Sequence, residues 1–500
     1  MRPLSRLAGA DRVLVVLALV HLVVLGWAFW LVGASPLHGD EAAYVDGGRA
    51  LSNLLRDLGS LRAPDVAELS RSVVASGWFM PGVPILLAPF FLVVPDGDVE
   101  AVRAYLGLVS TIVLALLVWR ARTVLGPRYA AALLVMPGLV PMAAAFAFAA
   151  WGDYLGGLVL GLLVVELVAV SRRVRAGAAP SLAQGVRLGL LAVAVVYLRS
   201  SAALVVVGLG VVAVVVCVAL LRGSARVRSL GAAAAALGAF LLVLAPWSGA
   251  ASAALDGRVV TTTSVPTVLA STFGDQDRIC RGPCDPDSTR WFAPQRYARE
   301  TAAATGRSEL DVLTEMSAYA REDVTPRSYS RDVIQNAWSY VKAPDRFLRW
   351  LEAPDDAAGL TARYLSRGLV WVAFGVGAAV LLVVVRGARD LQVLATLLTL
   401  SLGALMSQPF VHVSGPRYWT TAAPLLGLGG AMLLTWWQGR RGDGPPGGAV
   451  VADPVTAAPS DPVLAGRDAA FGTWLTRVQV LLAAGTVALA LGIGAVAVLG

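Results

Sequence analysis

The chain has 500 residues, 57% of them hydrophobic and 15% charged, with a formal net charge of +8 and a mean hydropathy of +0.69. That balance excludes a single water-soluble core and predicts an all-α polytopic membrane protein. The positive charge does not point to nucleic acid, because the basic residues fall in short clusters between apolar runs without aromatic interleaving. Of the 41 basic residues only Lys342 is lysine, a bias that suggests GC-rich coding and a bacterial source.

The first apolar run, residues 13–34, follows Arg2, Arg6 and Arg12. It is longer than a secretory signal core and long enough to cross the ~30 Å hydrocarbon layer, so it reads as an uncleaved span with a cytoplasmic amino terminus. His38-Gly39-Asp40-Glu41 follows at the membrane exit, where two carboxylates also suit a helix N-terminus. Within the first external loop, residues 35–80, Ala43, Gly47, Ala50, Leu51, Leu54, Leu55 and Leu58 recur at helical spacing and predict an interfacial amphipathic helix. Residues 81–94 are apolar but short and carry Pro81, Pro84 and Pro89, which predicts a re-entrant or juxtamembrane helix.

Loops 119–128, 171–187 and 222–228 are rich in arginine and free of acids, as cytoplasmic loops are. With these inside, about eleven spans are predicted, near 13–34, 101–119, 129–149, 153–171, 185–199, 202–221, 229–248, 367–386, 391–409, 419–437 and 478–499. The carboxyl terminus then lies outside. The expected units are a catalytic membrane module (1–248), an exoplasmic cap (249–366) with helices near 308–322 and 331–352, accessory spans (367–437), a flexible cytoplasmic linker rich in Pro and Gly (438–475), and a last span (478–499). Cys280 and Cys284 (CRGPC) lie in the cap, on the oxidising side, and are candidates for a disulfide. No histidine lies in that segment, which argues against zinc, and with three histidines in all no histidine-rich metal site is expected. No cofactor is predicted; a carboxylate-bound divalent cation would leave no spacing signature.

Asp40-Glu41-Ala-Ala-Tyr44, the interfacial helix, Pro81-Gly-Val-Pro84 and Ala101-Val-Arg103 together resemble the first third of the GT-C glycosyltransferases that use polyprenyl-phosphate sugars. Bacterial aminoarabinose transferases and protein O-mannosyltransferases belong to that group. Trp151-Gly-Asp153-Tyr154, Tyr197-Leu-Arg199, the large external loop and Pro416-Arg417-Tyr418 continue the resemblance. It departs at Ala43, where the aminoarabinose enzymes have a basic residue, and in the cap, which shows no β-trefoil repeats. The resemblance implies a GT-C helix bundle in a bacterial plasma membrane with its active site on the exoplasmic face. The partners it implies are a polyprenyl-phosphate-linked sugar donor, an envelope glycan, lipid or protein as acceptor, and membrane lipids. It places Arg103 where a phosphate-contacting arginine stands and Asp40 where a general base stands.

The chemistry supports those residue types. A sugar on a lipid phosphate leaves behind an anion, which cations stabilise, and the attacking hydroxyl needs a carboxylate to take its proton. Candidate phosphate ligands are Arg103, Arg199 and Arg417, all at outer helix ends, where a snorkelling arginine is the alternative. Candidate carboxylates are Asp40, Glu41 and Asp153. Neighbouring helical residues face different ways, so Asp40 and Glu41 are not expected to share a task, and Asp153 could equally be a helix cap. Tyr44, His412 and Tyr418 are further candidates, although a lone interfacial histidine is more often a surface group. His21, inside the first span, has no evident metal partner. The competing reading is a transporter or flippase of a lipid-linked substrate, in which Glu166, Asp153 and Arg199 would be buried substrate or proton groups.

Overall fold

The computed structural model describes residues 9–280, 292–412, 416–441 and 462–499, and among these it is helical with no strand. The first half holds α1 (Gly9–Val32), α2 (Asp40–Gly59), α3 (Val66–Leu69), α4 (Gly82–Val93), α5 (Val99–Val124), α6 (Pro127–Val135), α7 (Pro141–Phe148), α8 (Gly152–Arg175), α9 (Leu182–Leu198), α10 (Ala203–Leu220) and α11 (Gly223–Ala254). The second half begins with α12 (Ser264–Phe273), α13 (Ala293–Thr305), α14 (Glu309–Ala320), α15 (Pro326–Lys342) and α16 (Arg346–Trp350). It ends with α17 (Ala357–Leu382), α18 (Arg389–Met406), α19 (Trp419–Arg441) and α20 (Pro462–Leu499).

Eight helices among the described residues are long and apolar enough to cross a membrane: α1, α5, α8, α10, α11, α17, α18 and α20. Their outward faces carry exposed Val, Leu, Ile and Trp side chains, as a lipid-facing surface does. α8 is the hub. Of its apolar stretch 89% lies inside the molecule, against 6% for α20, and α5, α9, α18 and α19 pack around it.

The expected span at 129–149 is instead two short helices, α6 and α7, because Pro137 removes a backbone donor and Pro141 starts a new helix at its first position. The expected span at 185–199 is α9, an apolar helix of 17 residues opened by a Ser181/Gln184 capping box. α11 runs to Ala254 and α17 starts at Ala357, so both continue past the expected limits of the cap. The helix expected at 331–352 is split, since Pro344 ends α15 and α16 begins again at Arg346.

The helix expected in the first external loop is α2, and it lies across α4. It buries Glu41, Val45, Gly47, Gly48, Ala50 and Ser52, so Gly47 and Ala50 of the expected apolar face are inside while Leu55 and Leu58 remain exposed. Residues 442–461, most of the expected linker, lie outside the described residues.

The charged groups separate the two ends of the bundle. At one end the start of α8 meets the end of α9 through Asp153 and Arg199. The cap joins this end, and its Arg327 and Arg331 donate to the last carbonyls of α20, at Val498 and Ala497. At the other end Arg172 and Arg175 of α8 pair with Asp390 of α18, and Arg389 pairs with Asp468 at the start of α20.

Candidate functional site

Asp40 is the first residue of α2, where the helix N-terminus favours a carboxylate. The preceding Gly39 has φ +54°, and a Cβ there would sit 3.0 Å from the Trp350 ring. Glycine therefore lets the cap close directly over this turn. Asp40 and Glu41 then diverge. Asp40 accepts from the Arg417 Nη2 at 3.0 Å, both side chains being slightly exposed. Glu41 turns into the core, fully buried, and accepts from both terminal nitrogens of Arg103 at 3.0 and 3.1 Å.

Arg103 is not open to a ligand. Its guanidinium has 0% exposure and also donates to the carbonyls of Ser35 and Pro36. Glu41 accepts two further bonds, from the backbone N–H groups of His38 and Ala150. The pair thus ties α1's exit, the start of α2, α5 and the 148–150 turn into one knot. In this structure the donors of Arg103, expected to contact phosphate, are taken by protein acceptors, and admitting an anion would strand Glu41 in the core.

The second carboxylate is placed by a close approach of backbones. A Cβ on Gly152 would lie 1.9 Å from the Leu198 carbonyl oxygen, so only glycine lets the start of α8 touch the end of α9. The contact brings Asp153, 2% exposed, to 3.0 Å from the Arg199 Nη1. This ion pair is close but not aligned as a hydrogen bond.

Two charge pairs, Asp40 with Arg417 and Asp153 with Arg199, are bridged by rings. The Arg199 guanidinium lies 4.2 Å over Tyr418, and that of Arg417 lies over Tyr418 and Trp151 at 5.0 and 5.3 Å. His412 reaches the Tyr418 hydroxyl at 3.4 Å. Tyr44, one turn after Asp40, packs against Phe79 with the rings tilted and their centroids 5.0 Å apart. Burial, then the Asp40 charge, pushes its hydroxyl well above the ordinary phenol range, so it stays a neutral donor at physiological pH. Because Arg199 and Arg417 both lie over the Tyr418 ring, the two ion pairs Asp153–Arg199 and Asp40–Arg417 are neighbours.

Of the sequence candidates, Asp40, Tyr44, Asp153, Arg199, His412, Arg417 and Tyr418 converge, while Glu41 and Arg103 lie behind them. Cys280 is buried and disulfide-bonded; Cys284 lies outside the described residues. Among the described residues no three His, Cys, Asp or Glu side chains are grouped to hold a metal ion. Sequence reasoning did not single out Trp151, Trp350 or Phe347. Trp151 stacks on Trp350 with centroids 5.0 Å apart and meets Phe347 edge-on, so the cap helix α16 forms one wall. Only the Trp151-Gly-Asp153 string hinted at this.

No family model and no curated protein matches the sequence. Two solved structures resemble its fold, ArnT from Cupriavidus metallidurans in the apo state, at 18% identity, and the same protein bound to undecaprenyl phosphate, at 17%. Each comparison covers 85% of this chain and 78% of that chain with a TM-score of 0.33. A superposition this loose assigns no residue a role. On its own residues the chain is an all-helical polytopic membrane protein with two arginine–carboxylate pairs gathered at one end of the bundle.

Proposed function

We propose that the protein is a membrane glycosyltransferase that moves a sugar from a polyprenyl-phosphate donor to a hydroxyl acceptor on the exoplasmic face. The observation that carries this reading is the juxtaposition of Asp40–Arg417 and Asp153–Arg199 beside a neutral Tyr44. In the resting site each arginine is neutralised by a carboxylate. A donor phosphate competes for Arg199 and Arg417, and as Arg417 turns to the phosphate, Asp40 is released to act as base. The acceptor oxygen then attacks the anomeric carbon, its proton passes to Asp40, the bond from carbon to phosphate oxygen breaks, and the lipid phosphate departs as an anion held by the two arginines. Glu41 and Arg103 fix the turn that aims Asp40.

The transporter reading draws no support from Glu166. Arg120 and Arg187 hold that carboxylate at the far end of the bundle, away from the site, so it is an occupied ion pair. Binding of undecaprenyl phosphate to detergent-purified protein tests the proposal. Arg199→Ala and Arg417→Ala are each expected to weaken it about tenfold or more, the scale of a charge-assisted pair. Wild-type affinity in both variants would overturn the donor assignment.

A further inference from the structure

A cavity lies among α8, α9, α10 and α11. Enclosing about 590 Å³, it is lined by aliphatic and small side chains of the second half of α8 and the first half of α9, together with α10 and the first half of α11. That volume is within the ~300–1,000 Å³ range of small-molecule sites. It exists because α9 and α11 are in backbone contact: a Cβ on Gly185 or Gly189 would lie 2.1 Å from the carbonyl oxygens of Ala232 and Ala236. No side chain of α9 can fill the space at those two positions, and α10 stands off beside the pair. Val207 and Val211 on the rim are exposed, so the cavity opens sideways, toward lipid.

Its end is marked by charge. Cys217 and Ser229 line it; the turn joining their helices carries Arg222, and the first two turns of α11 carry Arg226 and Arg228. The chain has no acidic residue from 167 to 255. Arg222 and Arg228 are exposed and have no carboxylate partner among the described residues, unlike Arg172, Arg175 and Arg187, which are all paired.

We infer that this cavity holds one acyl chain of an anionic phospholipid of the leaflet opposite the candidate active site, with its phosphate against Arg222 and Arg228. An aliphatic slot opening to the bilayer takes a hydrocarbon chain, and unpaired arginines at its end select a negative headgroup over a zwitterionic one.

Native mass spectrometry on the detergent-purified full chain tests this, with phosphatidylglycerol and phosphatidylcholine of identical chains offered in equal amounts. The wild type is expected to retain phosphatidylglycerol over phosphatidylcholine by about fivefold or more, the effect of one basic side chain at a lipid surface. Arg222→Gln with Arg228→Gln should abolish the preference. Gly210→Phe, at a cavity-lining position where a Cβ meets nothing within 4 Å, should remove retention of both lipids. Equal retention of the two lipids by the wild type overturns the headgroup assignment on its own, even if Gly210→Phe fails to fold. Unchanged retention in folded Gly210→Phe overturns the chain assignment. Full displacement of phosphatidylglycerol by millimolar glycerol 3-phosphate would make this a site for free anions and also overturn it.

Discussion

Glu41 and Arg103 show how one residue step separates two tasks. Asp40 and Glu41 are adjacent, but successive helical side chains diverge, so one carboxylate reaches the site and the other enters the core. Cutting the buried pair leaves a charge without water or partner, at a cost of about 3–5 kcal/mol. Arg103→Ala is therefore expected to melt well below wild type in detergent. Arg103→Lys should recover little, because one ammonium cannot make the two parallel bonds to Glu41. Undecaprenyl phosphate binding should follow the folded fraction only; a specific loss of binding at unchanged melting would return Arg103 to the phosphate site. The divergence of Asp40 and Glu41 was legible in the sequence. The burial of Arg103 was not, because its other acceptors are carbonyls of Ser35 and Pro36, which carry no side-chain signal.

At the scale of elements, close contacts set the site. α8 and α9 meet at Gly152, where a methyl group has no room against the Leu198 carbonyl. Gly152→Ala must push the helix ends apart, at a cost of about 1–3 kcal/mol for overpacking, and with them Asp153 from Arg199. A variant that folds yet loses donor binding is the expected outcome, measured by melting and undecaprenyl phosphate titration together; full binding would show that the contact does not position the pair. Hydropathy and helical spacing are enough to make α1, α5, α8 and the interfacial α2 readable in the sequence. Hydropathy reads 129–149 as one apolar run but hides its break: Pro137 and Pro141 are compatible with an apolar segment but not with one continuous helix. The cap wall at Trp350 was illegible for another reason, since it meets Trp151 from the other half of the chain with no shared motif.

Across the whole molecule, the charge groups sort to two ends: the candidate site and cap at one, and the Arg175–Asp390 and Arg389–Asp468 pairs at the other. By the positive-inside rule we propose that the second end is cytoplasmic. A cysteine replacing exposed Ala304 in the cap should react with an impermeant maleimide in intact cells, and one replacing exposed Ser224 only after permeabilisation. The reverse pattern would invert the topology and remove the exoplasmic chemistry. The most direct test of the central claim, that Asp40 accepts the proton of an attacking hydroxyl, is the single-turnover rate of sugar transfer from a polyprenyl-phosphate donor by Asp40→Asn protein. The account predicts a folded variant that still binds undecaprenyl phosphate but transfers about 10²-fold more slowly or worse, the scale of general-base loss. Transfer at the wild-type rate would contradict it.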